Sequence, residues 1–220
     1  MKKLTLIDFA TIGVCLIPFV YLIAVYPTLP GTVPLHYNHK GVPDNFGPKS
    51  SFALIIAFMQ AVALGVFLLM RNIKYIDPKK LVQYSEAVYG KMGFGTAVFV
   101  SGLSIAIIYA TKEGGMKIEK VLFPLMGLLF AFIGNMMNNI KPNYFAGIRT
   151  PWTLEDPDTW RVTHRLAARM WVIGGLIICL SGLVLPNSIS FIFVMSVIGV
   201  MTLVPLVYSF VYFKKHQVKS

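Results

Sequence analysis

Six uninterrupted apolar runs decide what this chain can fold into: residues 4–26, 50–70, 92–109, 121–137, 167–185 and 189–213. Each approaches the roughly 20 residues a helix needs to cross a hydrocarbon layer about 30 Å thick. Inside lipid, a backbone has to satisfy its own N–H and C=O groups, which restricts spanning structures to helices and closed barrels. Runs that stay apolar, instead of alternating with polar residues, select helices. Pro18, Pro124 and Pro205 fall inside runs and predict kinks of the kind membrane helices tolerate. The expected fold is all-α, a polytopic membrane protein with six transmembrane helices. These spans consume most of the 220 residues, so no soluble domain is expected outside the bilayer.

Charge fixes the expected orientation. Only 13% of residues are charged, against about a quarter in soluble domains, yet the formal net charge is +11. A soluble chain with that excess would point to nucleic acid. Beside membrane helices the same residues meet anionic headgroups, so membrane lipids are expected partners, with no direct nucleic acid. Of the 20 Lys and Arg residues, fifteen lie at the termini, in the second loop and in the fourth loop counted into its helix as far as Arg169, and five lie in the first and third loops. The positive-inside rule then places both termini in the cytoplasm. The opening Met1-Lys2-Lys3 precedes a run too long for a signal-peptide core, and no small-x-small site follows, so it is expected to be a retained first helix. Cys15 and Cys179 lie within runs and read as small hydrophobes, with no disulfide framework.

Within the runs, Gly93, Ala97 and Ser101, and Gly102, Ala106 and Ala110, form small-residue ridges that let helices approach closely. Gln60, Asn135, Asn138 and Asn139 are expected to hydrogen-bond between helices. Asp8, one turn into the first run, is expected to reach interfacial water. No carboxylate or basic residue lies deep in any run, which counts against a proton-coupled pump or ion transporter.

Two loops are more than connectors. The first, residues 27–48, is rich in proline and glycine, which exclude a helix and impose turns. Its His36, Asn38, Gly41 and Asp44 are candidate binding residues. His36, His39 and Asp44 form a metal-binding candidate with zinc-compatible donors; alternatively, these groups bond the loop to itself and cap helix ends. In the fourth loop, 138–166, Asp156-Pro157 is a helix start, an N-cap followed by proline at the first helical position. That helix should run directly into the fifth span. Arg161, Arg165 and Arg169 share one face of it, while Trp160, His164 and Trp171 lie nearer another. They read either as an interfacial belt or as a docking surface for an acidic protein. Arg149 and Trp152 lie in a segment constrained by Gly147 and Pro151, where the guanidinium would either lock the loop through carbonyls or bind a partner. Neither Gly-x-Ser-x-Gly nor His-Glu-x-x-His is present, so no catalytic residue and no cofactor is expected. The alternative is a metal-dependent membrane hydrolase using the first loop.

The run from Asn139 through Asn143, Gly147, Arg149, Thr150, Pro151, Trp152 and Thr153, continued by Trp160, Thr163, His164 and Arg165, resembles the signature of the SdpI family. The first loop, with Leu29-Pro30, Val33-Pro34, His36, Asn38, Gly41, Pro43 and Asp44, resembles the N-terminal domain of unknown function often found alongside it. His39 and Lys40 depart from the small residues expected of relatives, and Ala168 stands in place of a usual glycine. The resemblance divides the chain into a two-helix unit with a structured external loop, 1–70, and an SdpI-like four-helix region, 88–213, with its cytoplasmic signature loop at 138–166. It implies a non-enzymatic bacterial cell-membrane protein conferring immunity to a secreted peptide toxin and taking part in signal transduction by holding a cytoplasmic repressor. The first loop would then sense toxin outside, and Asn143, Gly147, Arg149, Thr150, Pro151, Trp152, Thr153, Trp160, His164 and Arg165 would mark the inner surface.

Overall fold

The computed structural model describes residues 4–38, 42–78, 86–114 and 118–217. Six helices are long and apolar enough to cross a membrane among these residues: α1 (Leu6–Val25), α2 (Lys49–Ile76), α3 (Glu86–Glu113), α4 (Glu119–Met137), α6 (Pro157–Val184) and α7 (Asn187–Gln217). Short elements lie between them: a 3-10 turn over Tyr26–Thr28, strands β1 (Thr32–Tyr37) and β2 (Pro43–Pro48), and a single-turn helix α5 (Pro151–Glu155). The fold is the expected all-helical, polytopic one. Pro18, Pro124 and Pro205 sit inside continuous helices, and Asp156 caps α6 by accepting hydrogen bonds from the Asp158 and Thr159 amides.

Helices α1, α2 and α3 pack on one another, α6 packs on α4 and α7, and α3 meets α4 to join the two groups. Small residues set the closest approaches. Along α3, Ala97 and Ser101 are buried, and a Cβ on Gly93 would lie 3.0 Å from the Phe67 backbone, so the ridge read from the sequence is a packing surface. The tightest seam lies elsewhere, between α4 and α6. A Cβ on Gly175 would sit 2.5 Å from the Ala131 nitrogen and the Gly127 carbonyl oxygen, and one on Gly134 would sit 2.7 Å from Trp171 Cβ. Backbone meets backbone there over several turns.

Buried polar groups staple the first group of helices. Gln60 of α2 donates to Ser104 Oγ at 2.8 Å and accepts from Ser101 Oγ at 2.9 Å. The role expected of Gln60 holds; that expected of Asn135 and Asn138 does not, because both side chains lie on the surface of α4's last turns. Asp8 also departs from expectation. It is buried, and its carboxylate accepts two hydrogen bonds from Arg71 of α2, each 2.7 Å, with further bonds from the Thr5 amide and hydroxyl. Spacing along one helix could not show that Arg71, sixty-three residues away, would neutralise it.

At the end opposite the termini, the proline-rich first loop folds into an antiparallel hairpin, with Val33 facing Gly47 and Pro34 facing Phe46. The register breaks around His36. A two-stranded sheet has two outer edges, so its prolines need not interrupt the ladder. Leu29 and Val33 are buried with Leu22, Phe52, Ile56 and Ile108, seating the hairpin's base on the helices.

The α4–α6 seam leaves no room for side-chain atoms. Gly175→Val is expected to lower stability by about 1–3 kcal/mol through overpacking, read as a lower unfolding temperature in detergent. Gly199→Ala, with nothing within 4 Å of its added Cβ, is expected to leave the unfolding temperature unchanged or slightly raised.

Candidate functional site

The candidate residues gather at opposite ends of the bundle. At the hairpin end, His36 Nδ1 lies 2.6 Å from Asp44 Oδ1, with both side chains substantially exposed. Asn38 bonds Val42 twice: its backbone amide donates to the Val42 carbonyl at 2.9 Å, and its Oδ1 accepts from the Val42 amide at 3.2 Å. Lys49, at the start of α2, donates to the Tyr26 carbonyl and stands over the Tyr26 ring. Near the imidazole–carboxylate pair in sequence, Val42 and Phe46 are more than half exposed. His39 and Gly41 lie outside the described residues, among which no three His, Cys, Asp or Glu side chains come together as a metal-ligand set.

At the end carrying the termini, the segment from residue 138 through α5 is built from hydrogen bonds to itself and to residues in or just past α2, α3, α6 and α7. Asn143 is fully buried. Its Oδ1 accepts from the Phe145 and Ala146 amides, each at 2.7 Å. Its amide nitrogen donates to Tyr89 Oη of α3 at 2.8 Å and to the Lys141 and Ala146 carbonyls. Asp77, just past α2, accepts from the Tyr144 amide. Trp160 of α6 donates its indole N–H to the Ile140 carbonyl at 2.8 Å. Trp152, in α5, donates to Ser209 of α7 at 2.6 Å and meets Phe210 edge-on.

Trp160 and His164, read from the sequence as an interfacial belt or a docking face, are instead core residues, 3% and 1% exposed, with their rings stacked 4.0 Å apart. His164 Nε2 accepts from the Ile148 amide at 3.1 Å. Nδ1 therefore carries the proton and donates to the Trp160 carbonyl at 2.8 Å, which makes the ring neutral. Gly147 lies against this ring with φ of 103°, and a Cβ there would run into His164 Nε2. Position 147 has to be glycine for two reasons, the left-handed backbone and the imidazole.

The following residues form a capping box. The Thr153 amide donates to Thr150 Oγ1, the Thr150 amide donates to Thr153 Oγ1, and Pro151 fills the first helical position of α5. Thr153 Oγ1 also donates to the Ile148 carbonyl. At Asp156, burial works to raise the carboxyl, but hydrogen bonds from Thr159 and Asp158 outweigh it and hold the group below its usual range. Arg149 is exposed and donates to the Tyr144 carbonyl at 2.6 Å. Arg161 pairs with Asp158, and Arg165 is exposed. The signature therefore splits into a framework of buried Asn143, Thr150, Thr153, Trp160 and His164 with half-buried Gly147, and an exposed rim of Tyr144, Arg149, Pro151 and Arg165. The partners that Asn143, Tyr144 and Trp152 find on other helices, Tyr89, Asp77 and Ser209, carry no local signal in the sequence; each is an ordinary polar residue toward a helix end.

This architecture defines a multi-pass helical membrane protein with a hairpin at one end and a self-bonded loop tying helices at the other. The loop and hairpin each fall within a recognised family segment: residues 139–209 match the SdpI/YfhL protein family, and residues 13–61 match a domain of unknown function (DUF1648). The chain carries the SdpI-family signature together with its N-terminal companion, as the resemblance implied. Along most of its length it is similar to a protein named Immunity protein SdpI from Bacillus subtilis (strain 168), with 24% identity over 202 residues, covering 92% of this chain and 93% of that one. No solved structure matches.

The Gly147–His164 contact makes a sharp forecast. Gly147→Ala is expected to expose the 138–150 segment to limited proteolysis while α-helical circular dichroism is retained. Arg149→Ala, which removes one bond at the surface, is expected to leave the cleavage pattern as in the parent protein.

Proposed function

We propose that this protein is a non-enzymatic membrane immunity protein that protects its cell from a secreted peptide toxin, with the hairpin outside and both termini in the cytoplasm. The carrying observation is the end-to-end similarity to a protein named for immunity, which takes in both unusual loops. The 15-to-5 partition of basic residues supports the orientation. On this reading, exposed Val42 and Phe46 beside His36 and Asp44 form the toxin-facing surface; an apolar patch flanked by an ionisable pair suits an amphipathic peptide at the membrane surface. The exposed rim around Tyr144, Arg149 and Arg165 is basic, and in the cytoplasm it would suit an acidic surface on a repressor. The buried framework would act indirectly, by holding that rim in place.

Expression in a bacterium sensitive to secreted peptide toxins is expected to raise its survival. Phe46→Asp is expected to remove that gain while the protein persists in the membrane at its usual level. Survival unchanged across a panel of such toxins would sink the immunity reading. With Cys15 and Cys179 replaced, Phe46→Cys should react with a membrane-impermeant maleimide on intact cells, and Tyr144→Cys only after permeabilisation. The reverse pattern would refute the orientation.

A further inference from the structure

Among the described residues, Arg169 is a cation without a protein counter-charge, on a spanning helix where the polar end gives way to apolar surface. It lies on the surface of α6 beside a groove of about 260 Å³ between α4 and α6, with Asn135 and Asn138 across from it and Gly134 and Ala168 among the lining residues. The Gly134 backbone abuts Trp171 and Val172, so Asn135 and Arg169 stand at nearly the same height. Among the described residues, neither amide nor the guanidinium has a hydrogen-bonding or ionic partner, whereas Arg161, two turns earlier on the same face, is paired with Asp158.

Height along the helix matters. Arg169 is twelve residues into α6, about 18 Å from its start at 1.5 Å per residue. Beyond it the exposed residues Ile173, Leu176, Ile177 and Leu180 are all apolar, so Arg169 is the last charged rung before the lipid-facing band. A cation at that boundary is stabilised where an anionic headgroup meets it. Among the described residues no carboxylate lines the groove, and the Asn135 and Asn138 side chains beside Arg169 can each donate to an oxyanion. Gly134 and Ala168 keep the seam low, which gives a headgroup room. Val172 and Ile173 continue the groove toward the apolar band, where an acyl chain would lie.

We propose that the α4–α6 groove is a discrete site for the phosphate of an anionic phospholipid, with Arg169 as its charge partner and Asn135 and Asn138 as amide donors. This does not depend on which face of the membrane the termini occupy. Arg165, one turn nearer the water and also unpartnered among the described residues, adds positive charge at the mouth. The site therefore favours a net-negative headgroup over a zwitterionic one, whose own cation would meet Arg165.

The test uses the purified full-length protein in detergent, with retained lipid counted by native mass spectrometry after addition of phosphatidylglycerol or phosphatidylcholine. The expected result is one phosphatidylglycerol held in preference to phosphatidylcholine and not displaced by millimolar inorganic phosphate. Arg169→Gln and Asn138→Leu should each weaken retention about tenfold, the loss expected for a charge-assisted hydrogen bond. Arg169→Lys should retain most of the binding, and Arg161→Gln should match the parent. Asn138→Leu alters only an exposed side chain and decides the matter if Arg169→Gln fails to fold. Equal retention of both lipids, displacement by free phosphate, or parental retention by Arg169→Gln and Asn138→Leu would overturn the proposal.

Discussion

The His164 imidazole holds the end of the bundle together, because it is the point where the irregular segment meets a spanning helix. One nitrogen is committed to its own helix through the Trp160 carbonyl, and the other receives the Ile148 amide. A buried amide left without an acceptor costs roughly 1–3 kcal/mol, so the ring's tautomer, its stack on Trp160 and the left-handed turn at Gly147 specify one another. With Ile148 fixed, Thr150 and Thr153 can close their reciprocal cap, and α5 is aimed so that Trp152 reaches Ser209. Asn143 completes the arrangement from the other direction, binding Tyr89 on the far group of helices. The segment running from Asn143 through α5 thus ties together residues in or just past α2, α3, α6 and α7.

A membrane interior makes such polar fastening effective. Between helices in lipid, apolar contact carries no hydrophobic driving force, since the tails are as apolar as leucine; association rests on close packing and hydrogen bonds. The chain uses both in separate places. The α4–α6 seam is glycine on backbone, whereas α1–α3 are joined by the Gln60–Ser101–Ser104 set and by Asp8–Arg71 near the boundary. An ion pair of that kind brings specificity more than net stability, because desolvation offsets most of the Coulombic gain. It fixes the rotation of α1 against α2, which in turn fixes where the hairpin at the far end of α1 emerges.

What was legible in the sequence follows from the range of the signals. The six spans, the Asp156-Pro157 helix start and the α3 small-residue ridge are local patterns of period or spacing, and each appears where the pattern places it. The hairpin was not legible: its residues alternate poorly, and pairing depends on Val33 and Leu29 finding a seat among helices distant in sequence. The same limit explains Asp8, whose partner lies on another helix, and the misplaced asparagines, since nothing in a single helix says which side its neighbour will cover. Trp160 and His164 are instructive for a different reason. Aromatic and imidazole groups beside arginines at a span's end suggest an interface, and only the returning 138–150 segment converts that position into a core.

That conversion changes how the signature should be read chemically. A motif of Asn, Gly, Thr, Trp and His invites a catalytic or ligand-binding interpretation, yet the Asn143, Thr150, Thr153, Trp160 and His164 side chains have spent their polar capacity on the protein itself. Asn143 uses both its oxygen and its amide nitrogen, and His164 uses both ring nitrogens. Groups so saturated are poor candidates for contact with anything outside, whereas the exposed Arg149 and Arg165 keep guanidinium donors in hand. A substitution at Gly147 or Asn143 that abolishes activity would therefore report on the shape of the loop. Recognition, where this end of the bundle performs it, belongs to the charged rim that the framework presents.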